Sequence, residues 1–147
     1  MKKILLAATI LALVLGASTL AAQNTSWKGT YWGDPTGIDI HGNWKGIIID
    51  DPTGPDAPEF RGRWISDNGV DYGKLYATLS SDGGGIYKVI KGVIYDKKGL
   101  VAGTWTGIFN LIVSEPGQAE GEWILTNDPA AIHHGFWSGT QIIPYEE

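Results

Sequence analysis

The sequence predicts an all-β domain: an antiparallel up-and-down meander of about eight strands that closes into a small barrel or curled roll. Three observations carry this. Residues alternate between apolar and polar with a period of two, as in a strand with one buried face. Glycine recurs two residues before a large apolar residue, at Gly29/Tyr31, Gly42/Trp44, Gly62/Trp64, Gly73/Leu75, Gly92/Ile94, Gly103/Trp105, Gly121/Trp123 and Gly135/Trp137. Turn signals punctuate the chain between these pairs. Eight antiparallel strands with one apolar face must close or fold over to hide that face and their edges. A two-sheet β-sandwich is the alternative.

The first segment is different. Met1-Lys2-Lys3, an apolar run from Ile4 to Leu15 and small residues up to Ala22 have the three parts of a secretory signal. The apolar run is too short to span a hydrocarbon layer about 30 Å thick. Residues 1–22 are therefore expected to be a cleaved signal peptide and 23–147 a single all-β domain, secreted or periplasmic. No second apolar stretch approaches membrane-spanning length. Asn24-Thr25-Ser26 is a glycosylation sequon, relevant only where the export route glycosylates. Without Lys2 and Lys3, nine Lys and Arg remain against sixteen Asp and Glu, a formal charge of −7. A domain this acidic repels phosphate backbones, which argues against nucleic acid as a partner. The absence of cysteine removes disulfides, thiol catalysis and thiolate metal sites.

The strands follow in order. In Phe60-Arg61-Gly62-Arg63-Trp64, the apolar residues and glycine share one face and the arginines the other. From Val101 to Val113, one face carries Val101, Gly103, Trp105, Gly107, Phe109, Leu111 and Val113. In Ala119 to Leu125, Gly121, Trp123 and Leu125 oppose Glu120, Glu122 and Ile124. Ile86 to Ile94 breaks the contrast and reads as an edge or a strand covered on both sides. The glycine shares a face with the tryptophan. A bare backbone there lets an aromatic from the next strand lie over it and permits tight coiling of the sheet.

Asp34-Pro35-Thr36-Gly37 and Asp51-Pro52-Thr53-Gly54 are the same turn tetrapeptide. Asp67-Asn68-Gly69, Asp82-Gly83-Gly84-Gly85, Asp96-Lys97-Lys98-Gly99, Glu115-Pro116-Gly117 and Asp128-Pro129 supply the remaining turns. From Tyr31 onward, the large residues of the glycine pairs are spaced 13, 20, 11, 19, 11, 18 and 14 residues apart. This alternation suggests tight turns at one end, longer excursions at the other and a strand pair repeating about every 30 residues. A solenoid would keep one constant period.

Trp44, Trp64, Trp105, Trp123 and Trp137 are expected on the inner face, with Tyr31, Phe60 and Phe109, as core. The mouth of an eight-stranded barrel is also a common place for a small ligand. Trp27, before the first strand, and Trp32, facing outward, are candidate ligand-binding residues. The outward aromatics Tyr72, Tyr76, Tyr87, Tyr95 and Phe136 accompany them, since exposed aromatics mark binding or assembly. His133 and His134 complete the ligand-binding candidates, although neighbours on a strand point apart. Asp50, Asp51, Asp56 and Glu59, in an acidic proline-rich loop, are candidate oxygen ligands for a metal such as Ca²⁺. Glu120 and Glu122 share a face about 7 Å apart, the one arrangement here that invites comparison with a glycosidase pair. No nucleophile motif, phosphate loop or dinucleotide fingerprint is present, so no catalytic residue and no cofactor is expected.

In size, strand number and Gly-x-Trp segments the chain resembles avidins and lipocalins, and Glu122-Trp123-Ile124-Leu125-Thr126 is similar to a late avidin strand. The resemblance implies architecture only, because the polar ligand set of avidins has no counterpart here. The expected function is an exported binding module for a glycan or small ligand. A structural or assembly protein of the cell exterior, with self-association, is the alternative.

Overall fold

A computed structural model describes residues 24–33, 40–130 and 132–144. The predicted signal peptide and the Asp34–Gly37 turn lie outside them. Eight strands follow one another: β1 (Thr25–Gly33), β2 (His41–Ile49), β3 (Glu59–Ser66), β4 (Tyr72–Ser81), β5 (Ile86–Tyr95), β6 (Val101–Asn110), β7 (Gln118–Leu125) and β8 (His133–Ile142). Each pairs antiparallel with the next, and β8 pairs with β1, so the meander is a closed barrel. Neither a sandwich nor an edge strand forms, because closure leaves every strand with two partners. No helix of the described residues is long and apolar enough to cross a membrane.

The glycine pairs explain the register. In the hairpins β1–β2, β3–β4, β5–β6 and β7–β8 the glycine of one motif faces the large residue of the other. Gly29 opposes Trp44 while Tyr31 opposes Gly42, and Gly121 opposes Trp137 while Trp123 opposes Gly135. Trp64 opposes Gly73, and Trp105 opposes Gly92. Four of the indoles cross the bare glycine and donate to a carbonyl one strand further on. Trp44 Nε1 reaches Ser138 O at 3.1 Å, Trp64 reaches Tyr95 O at 3.0 Å, Trp105 reaches Tyr76 O at 3.2 Å and Trp137 reaches Thr106 O at 2.9 Å. A side chain in place of the glycine would stand in that path. The motif thus satisfies a buried N–H and locks three strands together.

The loops correct the expectation about turn length. Residues 34–40, 67–71, 96–100 and 126–132 connect strands at one end, and 50–58, 82–85 and 111–117 at the other. Neither set is systematically shorter. The spacing alternates because every motif sits nearer the first end, so each short interval spans a connection there and each long one crosses the far end.

Four placements also change. Trp27 does not precede the first strand. It lies within β1, in phase with Gly29 and Tyr31, and is fully buried. Tyr87 points inward, with only 4% of its surface exposed. The cause is a bulge: Thr78 pairs with Lys91 and Leu79 with Val89, leaving Ile90 as the extra residue. Tyr87 and Val89 face the lumen before it, Gly92 and Ile94 after it, which is why no single period of two described this strand. A second irregularity, where Ile94 pairs with Gly103 and Tyr95 with Val101, turns Ala102 inward and Val101 outward. Val113 lies beyond the end of β6 and is exposed.

Candidate functional site

The lumen is packed at one end and open at the other. At the closed end Trp27, Ile48, Phe60, Leu79 and Phe109 have no exposed surface. Trp27 meets Phe109 edge-on at 5.0 Å, and Phe60 stacks on Phe109 at 5.4 Å. Tyr87 donates its hydroxyl to Asp50 at 2.7 Å. Burial, reinforced by this bond and the Asp50 charge, raises the Tyr87 pKa.

The opposite end holds a cavity of about 590 Å³, within the range of about 300–1,000 Å³ usual for small-molecule sites. Its floor is the aromatic stack of Trp44, Phe60, Trp105, Phe109 and Trp137. The Trp44–Trp137 and Trp105–Trp137 rings meet at 5.4 and 5.5 Å. Its walls are the aromatic residues Tyr31, Trp64 and Trp123 and the aliphatic residues Leu75, Ile94, Ala102 and Leu125. Tyr31 stands edge-on to both Trp64 and Trp123, at 6.2 and 6.3 Å. The rim carries His41, Ser66, Asp67, Asn68, Asp71, Asp96 and Asn127.

The electrostatics of this mouth are one-sided. Among the described residues that line it there are three aspartates and no Lys or Arg. His41 Nδ1 contacts the Asp67 carboxylate. Asn68 and Asp96 are partly occupied in shaping their own turns, accepting from Val70 N and from Lys98 N and Leu100 N. Burial, followed by the charges of Asp67 and Asp71, pushes the Tyr31 pKa up to about 12. The tryptophans lining the cavity spend their indole N–H groups on backbone carbonyls, including Trp123 on Phe136 O at 3.1 Å. They therefore present ring faces. Such a wall takes flat apolar groups, and carboxylates beside aromatic faces favour a cation or a hydrogen-bond donor.

The residues singled out from sequence lie elsewhere. Trp32, Tyr72, Tyr76 and Phe136 are on the outer wall, with exposures of 41%, 51%, 36% and 42%. Trp32 and Phe136 are register partners with rings 6.2 Å apart. Tyr76 donates to Glu59, which raises the Tyr76 pKa. Tyr95 is half-buried. His133 is half-buried at the start of β8 and His134 is exposed. The acidic loop is engaged in its own contacts. Asp51 receives the Thr53 hydroxyl and amide, which hold its carboxyl below the usual range, and Glu59 pairs with Arg61. Among the described residues no group of three or more His, Asp or Glu is placed to hold a metal ion. Glu120 and Glu122 are exposed on the outer wall.

Sequence reasoning assigned Tyr31, Trp64 and Trp123 to the core and did not single out Asp67 and Asp71. The usable signal was the alternating spacing. It places all the aromatic pairs next to one set of connections, and one of these is Asp67-Asn68-Gly69-Val70-Asp71. Comparison with known protein families, curated proteins and solved structures finds no match for this chain.

Proposed function

We propose that this protein is a binding module that holds a small ligand in the open end of its barrel. The observation that carries the reading is the aromatic-walled cavity of about 590 Å³ with an acidic rim. The ligand that suits it has an apolar ring body, stacked against Trp64 or Trp123, and a cationic or donor-rich end near Asp67 and Asp71. Aromatic amines satisfy both requirements, and a sugar with an apolar face satisfies the first. The leader-like residues 1–22 support export, with the module acting outside the cytoplasm. Catalysis has no support from the outer-wall pair Glu120 and Glu122, which lie away from the cavity lining.

The test is intrinsic tryptophan fluorescence against a panel of aromatic amines, neutral aromatics and oligosaccharides. Saturable quenching by the amines is expected. It should be lost in Leu75→Trp, which places an aromatic where the other hairpins carry one and fills the cavity. No saturable change with any member of the panel would overturn the proposal. Assembly is a second reading, favoured by the exposed Trp32–Phe136 pair. Concentration-dependent self-association abolished by Trp32→Ser would support it.

A further inference from the structure

The charges of this acidic protein are segregated. Every strand-borne Lys and Arg lies on β1–β5, whereas β6–β8 carry none and bear Glu120 and Glu122. Four of the cations form one row. Lys28 is the register partner of Lys45, Lys45 of Arg63, and Arg63 of Lys74. All four are exposed on the outer wall of adjacent strands. No carboxylate among the described residues is within ion-pair distance of any of them. Like charges directly opposite one another destabilise a sheet. The barrel does not need them for packing, since all four side chains are exposed. An uncompensated row of this kind is a surface waiting for counter-charge.

The row crosses three strand spacings, about 14 Å in all. Its charges are therefore about as far apart as the successive sugars of an extended polysaccharide. Nucleic acid carries its charge more densely, roughly one per 1.7 Å of duplex. A flat bilayer meets a convex barrel wall over little area. Beside the row lies a shallow depression of about 270 Å³, lined by Arg61, Lys74, Tyr76 and Tyr95 over the backbone of Gly62 and Leu75. Arg61 and Tyr76 are both held by Glu59 there, so Lys74 supplies the free cation, and with the neighbouring Tyr95 it matches an acidic sugar, whose carboxylate takes the charge while its ring lies on an aromatic face. The acidic loops and the far wall do not veto this, because their field is screened beyond about 8 Å at physiological salt.

We infer that the basic row Lys28–Lys45–Arg63–Lys74 and its adjoining depression dock a linear acidic polysaccharide. The surface is separate from the mouth of the barrel, and the inference stands without the ligand proposed there. Polygalacturonate is the probe, titrated by calorimetry at about 50 mM and about 500 mM salt, across which counterion release is large. Binding at low salt that falls steeply at high salt is expected. Lys45→Gln/Arg63→Gln should weaken it about tenfold or more. Lys97→Gln/Lys98→Gln, which removes the same charge from a loop, should stay within about twofold. The row variant should melt no lower than the parent, because a repulsion is relieved. If it fails to fold, Lys28→Gln/Lys74→Gln at the row's ends takes its place. No polygalacturonate binding at low salt, equal losses in the row and loop variants, or tighter binding to single-stranded DNA or anionic vesicles would each overturn the inference.

Discussion

The two ends of the barrel use the same residue types and reach opposite outcomes. At the closed end the side chains project across the lumen: Trp27 from β1, Phe60 from β3 and Phe109 from β6 meet at its centre. Gly117 is tucked against them, so close that an added Cβ would sit 3.0 Å from the Trp27 ring. At the open end Tyr31, Trp64 and Trp123 are laid along the wall, each over the glycine opposite it. Two of the eight motif positions carry Leu75 and Ile94 instead of an aromatic, and these two are register partners. The missing ring volume falls at one place on the wall. An aromatic barrel is thus not automatically a full one. What matters is whether every position around the lumen carries a ring, and at the open end Leu75 and Ile94 do not.

The contrast is sharpest for stability. Phe109→Ala removes a residue in ring contact with Trp27, Trp44, Phe60, Trp105 and Trp137. It should cost about 3–5 kcal/mol in urea unfolding, the usual range for a buried aromatic. Trp64→Ala at the open end should cost less than half of that, since the ring already borders open volume. Equal costs would mean that the two ends are packed alike. A smaller effect tests the wall itself. At Gly73 an added methyl group would run into the Tyr95 carbonyl and lie 2.7 Å from Trp64 Nε1. Gly73→Ala should destabilise by about 1–3 kcal/mol through overpacking, and the emission of Trp64 should shift as its bond to Tyr95 is displaced. An unchanged melting temperature would show that the glycine is not required under the indole.

The smallest effect is the share of the alkaline pH dependence that comes from the open end; Tyr87 at the closed end and Tyr76 on the outer wall, whose pKa values are also raised, contribute the rest. The Tyr31 pKa is raised to about 12 from 10.0, so between those values the folded chain holds a proton that the unfolded chain has released. Its contribution to stability is complete below pH 10 and is lost as pH rises toward 12. Tyr31→Phe should make the fall in stability over that window less steep, measured by denaturant unfolding. Asp67→Asn/Asp71→Asn should bring the Tyr31 titration, followed by ultraviolet absorbance, back toward 10. A titration unmoved by that pair would leave burial as the sole cause.

Much of the barrel was legible in the chain. The period of two in Phe60–Trp64 and Ala119–Leu125 assigned both faces as they stand. The pairing of glycine with an aromatic identified bare backbone beneath a ring. The segments that misled are those where the period is interrupted. Ile90 and Ala102 are single extra residues that reverse the face of everything beyond them, and a bulge has no dependable local signature. Trp27 was misplaced because the first strand begins before its first glycine.

The sequence by itself determined that the chain is all-β, that its strands form a meander and which residues belong to one apolar face. Those properties follow from local alternation and turn chemistry, which act between near neighbours. Only the tertiary structure decided that the lumen is shut at one end and open at the other, and that four cations stand in a row. Both depend on the register between strands and on closure of β8 onto β1. Register and closure bring together residues far apart in sequence, such as Trp44 and Ser138.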